Sequence, residues 1–70
     1  MEELAKNFLK KAVGTKNMTL YLINGIRLIG TIIEMGDESL IIRSKTQISG
    51  EQLVFIRHIS TISEYQESAI

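Results

Sequence analysis

The segment Tyr21-Leu-Ile-Asn-Gly-Ile-Arg-Leu-Ile-Gly30 places an Asn-Gly pair between two apolar stretches. Asn-Gly tolerates the positive φ angles of a tight hairpin turn, so the segment predicts two antiparallel strands joined at this pair. Gly30 interrupts the second strand, where the missing side chain permits a sharp bend or a close approach of another backbone. Because glycine kinks give sheets their curvature, we expect a small bent β-barrel.

The rest of the chain predicts one helix followed by further short strands. An apolar stripe on one side of the N-terminal segment is typical of an amphipathic helix, and Gly14 is placed to end it. We expect a single domain over residues 1–70, mainly β (α+β), with an N-terminal α-helix followed by a strongly bent five-stranded antiparallel sheet. The predicted elements are a helix over 3–13, strands over 18–23, 26–35, 39–44, 52–57 and 59–63, a loop over 45–50, a very tight connection near His58 and a flexible tail over 64–70.

The composition indicates a chain that gains stability by assembling with copies of itself. Seventy residues form only a marginal core, and a composition that is 44% apolar leaves exposed apolar surface that a second copy of the chain would cover. There is no cysteine and one histidine, which excludes disulfides and thiolate metal sites. No apolar run approaches a membrane span, and the charged N-terminal segment is unlike a secretory signal, so we expect a cytoplasmic protein with no membrane partner.

The zero net charge conceals an uneven distribution of charged residues. Five basic residues and no acidic one occur between Leu4 and Ile33, whereas acidic residues cluster at Glu34, Asp37 and Glu38. A basic segment gathered on one side of the fold favours a nucleic-acid partner. A solvated helix face is the alternative interpretation, and composition does not decide between the two.

The side chains that catalysis requires are not grouped in this sequence. It contains no cysteine, no Ser/His/Asp arrangement, no phosphate-cradling loop and no cluster of metal ligands. We therefore predict a protein that is not an enzyme and that uses no cofactor and no metal.

Two motifs resemble those of the Sm-like superfamily, and within it the Hfq family of bacterial RNA chaperones. The segment from Tyr21 to Gly30 is similar to the first Sm motif, and Phe55-Ile-Arg-His-Ile-Ser-Thr61 is similar to the second. Phe8-Leu9 followed by basic residues is similar to the Hfq helix, so the resemblance extends from about Phe8 to Ile62. It implies a homohexameric ring, joined through a late strand, that binds single-stranded RNA in post-transcriptional regulation by small regulatory RNAs.

The resemblance also implies a distal face that binds A-rich RNA. Tyr21 would stack on a base, although many strand tyrosines merely cover the edge of a core. The Gln52 amide suits the paired donor and acceptor of adenine, and Arg27 would meet a phosphate or a base. Ile29 departs from the family, in which a glutamine is frequent at this position. The distal residues implied are Tyr21, Gly25, Ile26, Arg27, Leu28, Gln52 and Thr61.

A proximal pore for U-rich RNA and a basic rim are the other implied surfaces. Arg57 and His58 are the pore candidates; the alternatives are an ion pair of Arg57 with Glu34 or Glu51 at a subunit contact, and a structural His58. Glu38 replaces an aromatic residue there and would repel phosphate, so we expect weak U-rich binding. The rim residues are Lys10, Lys11 and Lys16, which lack the bidentate fork of arginine. A ring that serves mainly as a protein-interaction scaffold, with weak RNA affinity, is the alternative function.

Overall fold

A computed structural model describes residues 3–44 and 50–65. As predicted, one helix precedes five strands, and a single 3-10 turn joins the last two strands. The elements are α1 (Glu3–Ala12), β1 (Asn17–Leu22), β2 (Arg27–Met35), β3 (Ser39–Ser44), β4 (Glu51–Phe55), the 3-10 turn (Ile56–His58) and β5 (Ile59–Glu64).

The five strands form one antiparallel sheet in the order β4-β3-β2-β1-β5. The inner face of this sheet carries the core, because cross-strand neighbours such as Leu20 and Leu28 are both buried. The helix contributes Leu9 and Ala12 to the same core. The buried apolar residues are Leu9, Ala12, Met18, Leu20, Leu28, Ile32, Leu40, Ile42, Val54 and Ile56. The expected bent antiparallel sheet behind an N-terminal helix is therefore confirmed.

The hairpin between β1 and β2 has a longer loop than the two-residue turn expected from Asn-Gly. The Gly25 N–H donates to the Leu22 carbonyl oxygen at 2.9 Å, and Gly25 alone in this loop has a positive φ, of 91°. This is the three-residue hairpin, in which a type I turn is followed by a left-handed residue. The Asn24 side-chain oxygen accepts from the Ile26 N–H at 3.0 Å, which holds the loop in this form.

Gly30 lies where β2 approaches the backbone of β3 most closely. A Cβ atom added at Gly30 would overlap the Arg43 carbonyl oxygen and lie 2.9 Å from the Ser44 Cα. Further along β2, the pairing with β3 shifts register between Ile32 and Glu34, as a bulge does where a sheet bends. The close backbone approach expected from Gly30 is therefore present.

The predicted strand over 52–57 instead ends at Phe55. Its last two predicted residues, Ile56 and Arg57, belong to the 3-10 segment. Ile56 is buried there, and the Ile56 N–H donates to the Glu38 carbonyl oxygen at 2.9 Å. The His58 carbonyl oxygen accepts from the Ile23 N–H at 2.8 Å. The 3-10 turn is therefore hydrogen-bonded both to the β1–β2 loop and to the β2–β3 turn.

The C-terminal end of the sheet also differs slightly from expectation. Strand β5 includes Glu64, and the Tyr65 N–H donates to the Asn17 carbonyl oxygen at 2.9 Å, so the first two residues of the predicted tail are held to β1. Residues 66–70 of that tail, and residues 45–49 of the predicted loop, lie outside the described residues.

Candidate nucleic-acid interface

Three of the residues assigned to the distal face form one row across the sheet. Tyr21 pairs with Arg27 on β2 and with Thr61 on β5. Directly opposed residues of antiparallel strands project to the same side, and all three are exposed. The neighbours of Tyr21 on β1 point into the core, so this side is the outer face of the sheet. We call Arg27, Tyr21 and Thr61 the outer row.

Three other predicted distal residues line a groove of about 230 Å³. Ile26 is half exposed at its mouth, whereas Leu28 is 7% exposed and belongs to the core. The side-chain oxygen of Gln52 is buried, and in the described part of the chain it has no hydrogen-bond partner. The groove, formed between β4 and the hairpin, is lined by Leu22, Ile26, Leu28, Gln52, Leu53, Val54, Phe55 and His58.

Within one chain, Gln52 of the groove and Tyr21 of the outer row project to opposite faces of the sheet. Gln52 pairs with Ile42, a core residue, and therefore projects to the inner face at the edge of the sheet. Tyr21 projects to the outer face. The resemblance places both side chains on one distal face of an assembled ring, and that grouping stays a prediction. Gly25 lies at the exposed tip of the hairpin, where only its backbone atoms are available to contact a ligand.

Two exposed apolar residues that line the groove were not predicted from the sequence. Leu53 is 58% exposed and Phe55 is 43% exposed, both on the edge strand β4. Apolar residues on both faces of a strand are typical of one that is covered on both sides. The apolar run from Leu53 to Ile56 carries that signal in the sequence.

The two pore candidates surround the ring of Phe55. The Arg57 guanidinium carbon lies 5.0 Å from the ring centroid, in a cation–π arrangement. The His58 ring meets the same ring edge-on, with centroids 6.1 Å apart and an interplanar angle of 72°. Glu51, one of the alternative partners of Arg57, instead pairs with Arg43 at 3.0 Å.

A second cavity, which we call the turn cavity, lies beside the 3-10 segment. It measures about 320 Å³ and is lined by Asp37, Glu38, Ile56, Arg57 and Ile59. The hydrogen bond from the Ile56 N–H to the Glu38 carbonyl oxygen joins its two walls. The Arg57 guanidinium itself lies over the Phe55 ring, which does not line this cavity.

The rim lysines differ in how their charge is balanced. Lys16 forms an ion pair with Glu64 at 2.7 Å, and both side chains are substantially exposed. Lys10 and Lys11 occupy the last turn of α1, where a positive charge suits the helix dipole, and neither forms an ion pair with another described residue.

Residues 3–44 and 50–65 contain no group of three or more histidine, cysteine, aspartate or glutamate side chains arranged to hold a metal ion. Within the same ranges, no helix has the length and apolar character needed to cross a membrane.

Comparison with known proteins identifies the fold. No protein-family model matches the chain. No curated protein sequence matches it either. A search of solved structures finds the pleiotropic translational regulator Hfq, with a TM-score of 0.73 and 19% sequence identity, over 87% of this chain and 98% of that chain. At that identity the likeness concerns the backbone, and it agrees with the helix and five-stranded antiparallel sheet described above. The chain has an Hfq-like Sm fold.

Proposed function

We propose that this protein is an RNA-binding, Hfq-like chaperone of post-transcriptional regulation that acts in the cytoplasm on small regulatory RNAs. The outer row is the observation that carries the proposal. It presents an exposed tyrosine ring next to a guanidinium on an open sheet face. A base stacked on an aromatic ring contributes about 1–3 kcal/mol, and the guanidinium is available to the adjoining phosphate. The protein binds and does not catalyse.

A-rich RNA is the preferred ligand in this proposal. The unpartnered Gln52 oxygen supports it, because a buried acceptor without a donor costs about 1–3 kcal/mol and the exocyclic amine of adenine would supply one. U-rich RNA binds weakly, since Asp37 and Glu38 beside Arg57 repel phosphate.

The proposed assembly is a closed homo-oligomeric ring, with six subunits as in Hfq. Strands β4 and β5 are the two edges of the described sheet, and an unpaired edge is a ready site for another strand. The exposed Leu53 and Phe55 on β4 would be covered by the neighbouring subunit. In the proposed ring, Gln52 of one subunit would lie near the outer row of the next, although the two project to opposite faces within one chain.

The test is a titration of labelled oligo-A and oligo-U against the assembled protein, followed by fluorescence anisotropy. Tight, saturable oligo-A binding with weak oligo-U binding is expected. Tyr21→Ala should weaken oligo-A binding about tenfold, because it removes the stacking ring. Tyr21→Phe retains the ring and should bind as the wild type does. Phe8→Ala is a matched control, because Phe8 is an aromatic of similar exposure on the helix.

Two outcomes would contradict parts of the proposal. Unchanged oligo-A affinity in Tyr21→Ala would remove the outer row from the binding site. No binding to either oligonucleotide would favour the protein-interaction scaffold.

A further inference from the structure

We infer that Ser60 is a positioning residue for RNA binding, which holds the backbone of Tyr21 at a bulge beside the outer row. This role rests on the proposed RNA-binding function and adds to it a residue that the resemblance assigns to no RNA surface. One contact carries it: the Ser60 hydroxyl donates a hydrogen bond to the Tyr21 carbonyl oxygen at 3.0 Å.

The pairing of β5 with β1 becomes irregular at this contact. Tyr21 lies opposite Thr61 on β5. Its neighbour Leu22 lies opposite Ile59, which leaves Ser60 as an extra residue on β5. Such a β-bulge interrupts the ladder of backbone hydrogen bonds and redirects side chains. Tyr21 is therefore the residue of β1 at which regular pairing with β5 stops.

The bulge also brings the Ser60 hydroxyl to the surface. Side chains alternate along a regular strand, so residues three apart project to opposite faces. Ile59 and Ile62 are three apart, yet both pack against the core. Ser60 and Thr61, which lie between them, are both exposed. Without the bulge, Ser60 would share the inner face with Ile62, and its hydroxyl would point away from the surface that presents Tyr21.

The backbone that Ser60 contacts determines where the Tyr21 ring points. On the other side of β1, the Leu22 N–H donates to the Ile26 carbonyl oxygen at 2.8 Å, which fixes this end of the strand to β2. The Ser60 hydroxyl supplies a bond on the side of β5, where the bulge disturbs the ladder. A binding side chain has to be held within about 0.5 Å of its productive position by such supporting contacts.

The chemistry of this bond favours an effect through Tyr21 over direct contact with RNA. A carbonyl oxygen can only accept, so the hydroxyl proton of Ser60 is committed to Tyr21. Ser60 then has lone pairs but no donor for a phosphate, and it carries no positive charge. Its contribution to binding should therefore depend on the presence of the Tyr21 ring.

The experiment is a double-mutant cycle of Ser60→Ala and Tyr21→Ala, with oligo-A affinity measured on the assembled protein. Ser60→Ala should weaken binding about threefold, because one hydrogen bond that holds Tyr21 is lost. In Tyr21→Ala, which has no ring to position, the same substitution should change the affinity by less than about twofold. Ser60→Thr retains the hydroxyl and should bind as the wild type does.

Two further measurements separate positioning from a general disturbance of the ring. Ser63→Ala is the matched control, because Ser63 is a serine of the same strand that lies opposite Thr19, outside the outer row; it should bind as the wild type does. Ser60→Ala should also leave the slope of log K against log salt unchanged, because no phosphate contact is lost. A smaller slope would overturn the positioning role.

The cycle distinguishes failure of this role from failure of the proposed function. Equal losses from Ser60→Ala with and without the Tyr21 ring would assign Ser60 a direct RNA contact and overturn positioning. Wild-type affinity of Ser60→Ala, or a loss in Ser60→Thr as large as that in Ser60→Ala, would overturn it as well. In each of these cases a weakened Tyr21→Ala variant leaves the outer row standing. Unchanged oligo-A affinity in Tyr21→Ala would instead overturn the outer row and the role of Ser60 together.

Discussion

A single missing side chain allows β2 and β3 to approach each other at the bend of the sheet. Any Cβ atom at Gly30 would overlap the Arg43 carbonyl oxygen, and backbone atoms of a paired strand cannot move aside as a flexible side chain can. Gly30→Ala should therefore lower the free energy of unfolding by at least about 2 kcal/mol, as overpacking of a tight site does. A urea or guanidinium titration followed by circular dichroism measures the change.

Gly36→Ala is the matched control for this prediction. A Cβ atom at Gly36 would lie 3.6 Å from the Ser39 carbonyl oxygen, an ordinary van der Waals distance, and its φ is not positive. The free energy of unfolding should then change by less than about 0.5 kcal/mol, as for most surface substitutions. Equal effects of the two substitutions would contradict the close approach at Gly30.

At the scale of the element, helix α1 is attached to the sheet by a narrow apolar stripe. Leu9 is fully buried in the core, whereas Leu4 on the same helix is 75% exposed. Leu9→Ala should lower the free energy of unfolding by about 2–5 kcal/mol, because it removes buried methyl groups and leaves a cavity. Leu4→Ala, the same chemical change at the surface, should alter it by less than about 0.5 kcal/mol.

Thermal or chemical unfolding followed by circular dichroism compares the two leucine variants. The contrast tests whether α1 packs on the sheet through Leu9, since helix propensity changes by a similar amount in both. A small effect of Leu9→Ala would mean that the helix is detached in solution.

The elements of this fold differ in how far the sequence determines them. The end of α1 was predicted within one residue because the apolar stripe stops before Gly14, which adopts a φ of 74°. The end of β4 was not, because Ile56 extends the apolar run that begins at Leu53. What turns the chain there is the bond from the Ile56 N–H to Glu38, a contact between distant residues that no local pattern contains.

In the candidate site, too, some features follow from the local sequence and others depend on the pairing of distant strands. Tyr21, which the resemblance presents for stacking on a base, is exposed in the structure. Its pairing with Arg27 follows from the hairpin, but its pairing with Thr61 depends on how β5 aligns with β1, which is set by the whole sheet. The position of Gln52 on the inner face depends in the same way on the pairing of β4 with β3.

At the scale of the molecule, the distribution of charge determines how RNA binding should depend on salt. The net charge is zero, so attraction to RNA has to come from local groups of basic residues. Lys10 and Lys11 form no ion pair with a described residue, whereas Lys16 is paired with Glu64. The first two lysines are therefore the better candidates for phosphate contacts along the rim.

Lys10→Gln combined with Lys11→Gln should make oligonucleotide binding less sensitive to salt. Each phosphate contact to a single strand contributes about −0.7 to the slope of log K against log salt, so two lost contacts reduce its magnitude by about 1.4. Lys16→Gln should reduce it less, because Glu64 already competes for that ammonium group. Binding isotherms over a series of salt concentrations measure the slopes. A wild-type slope near zero would contradict phosphate binding by the rim and would favour the protein-interaction scaffold.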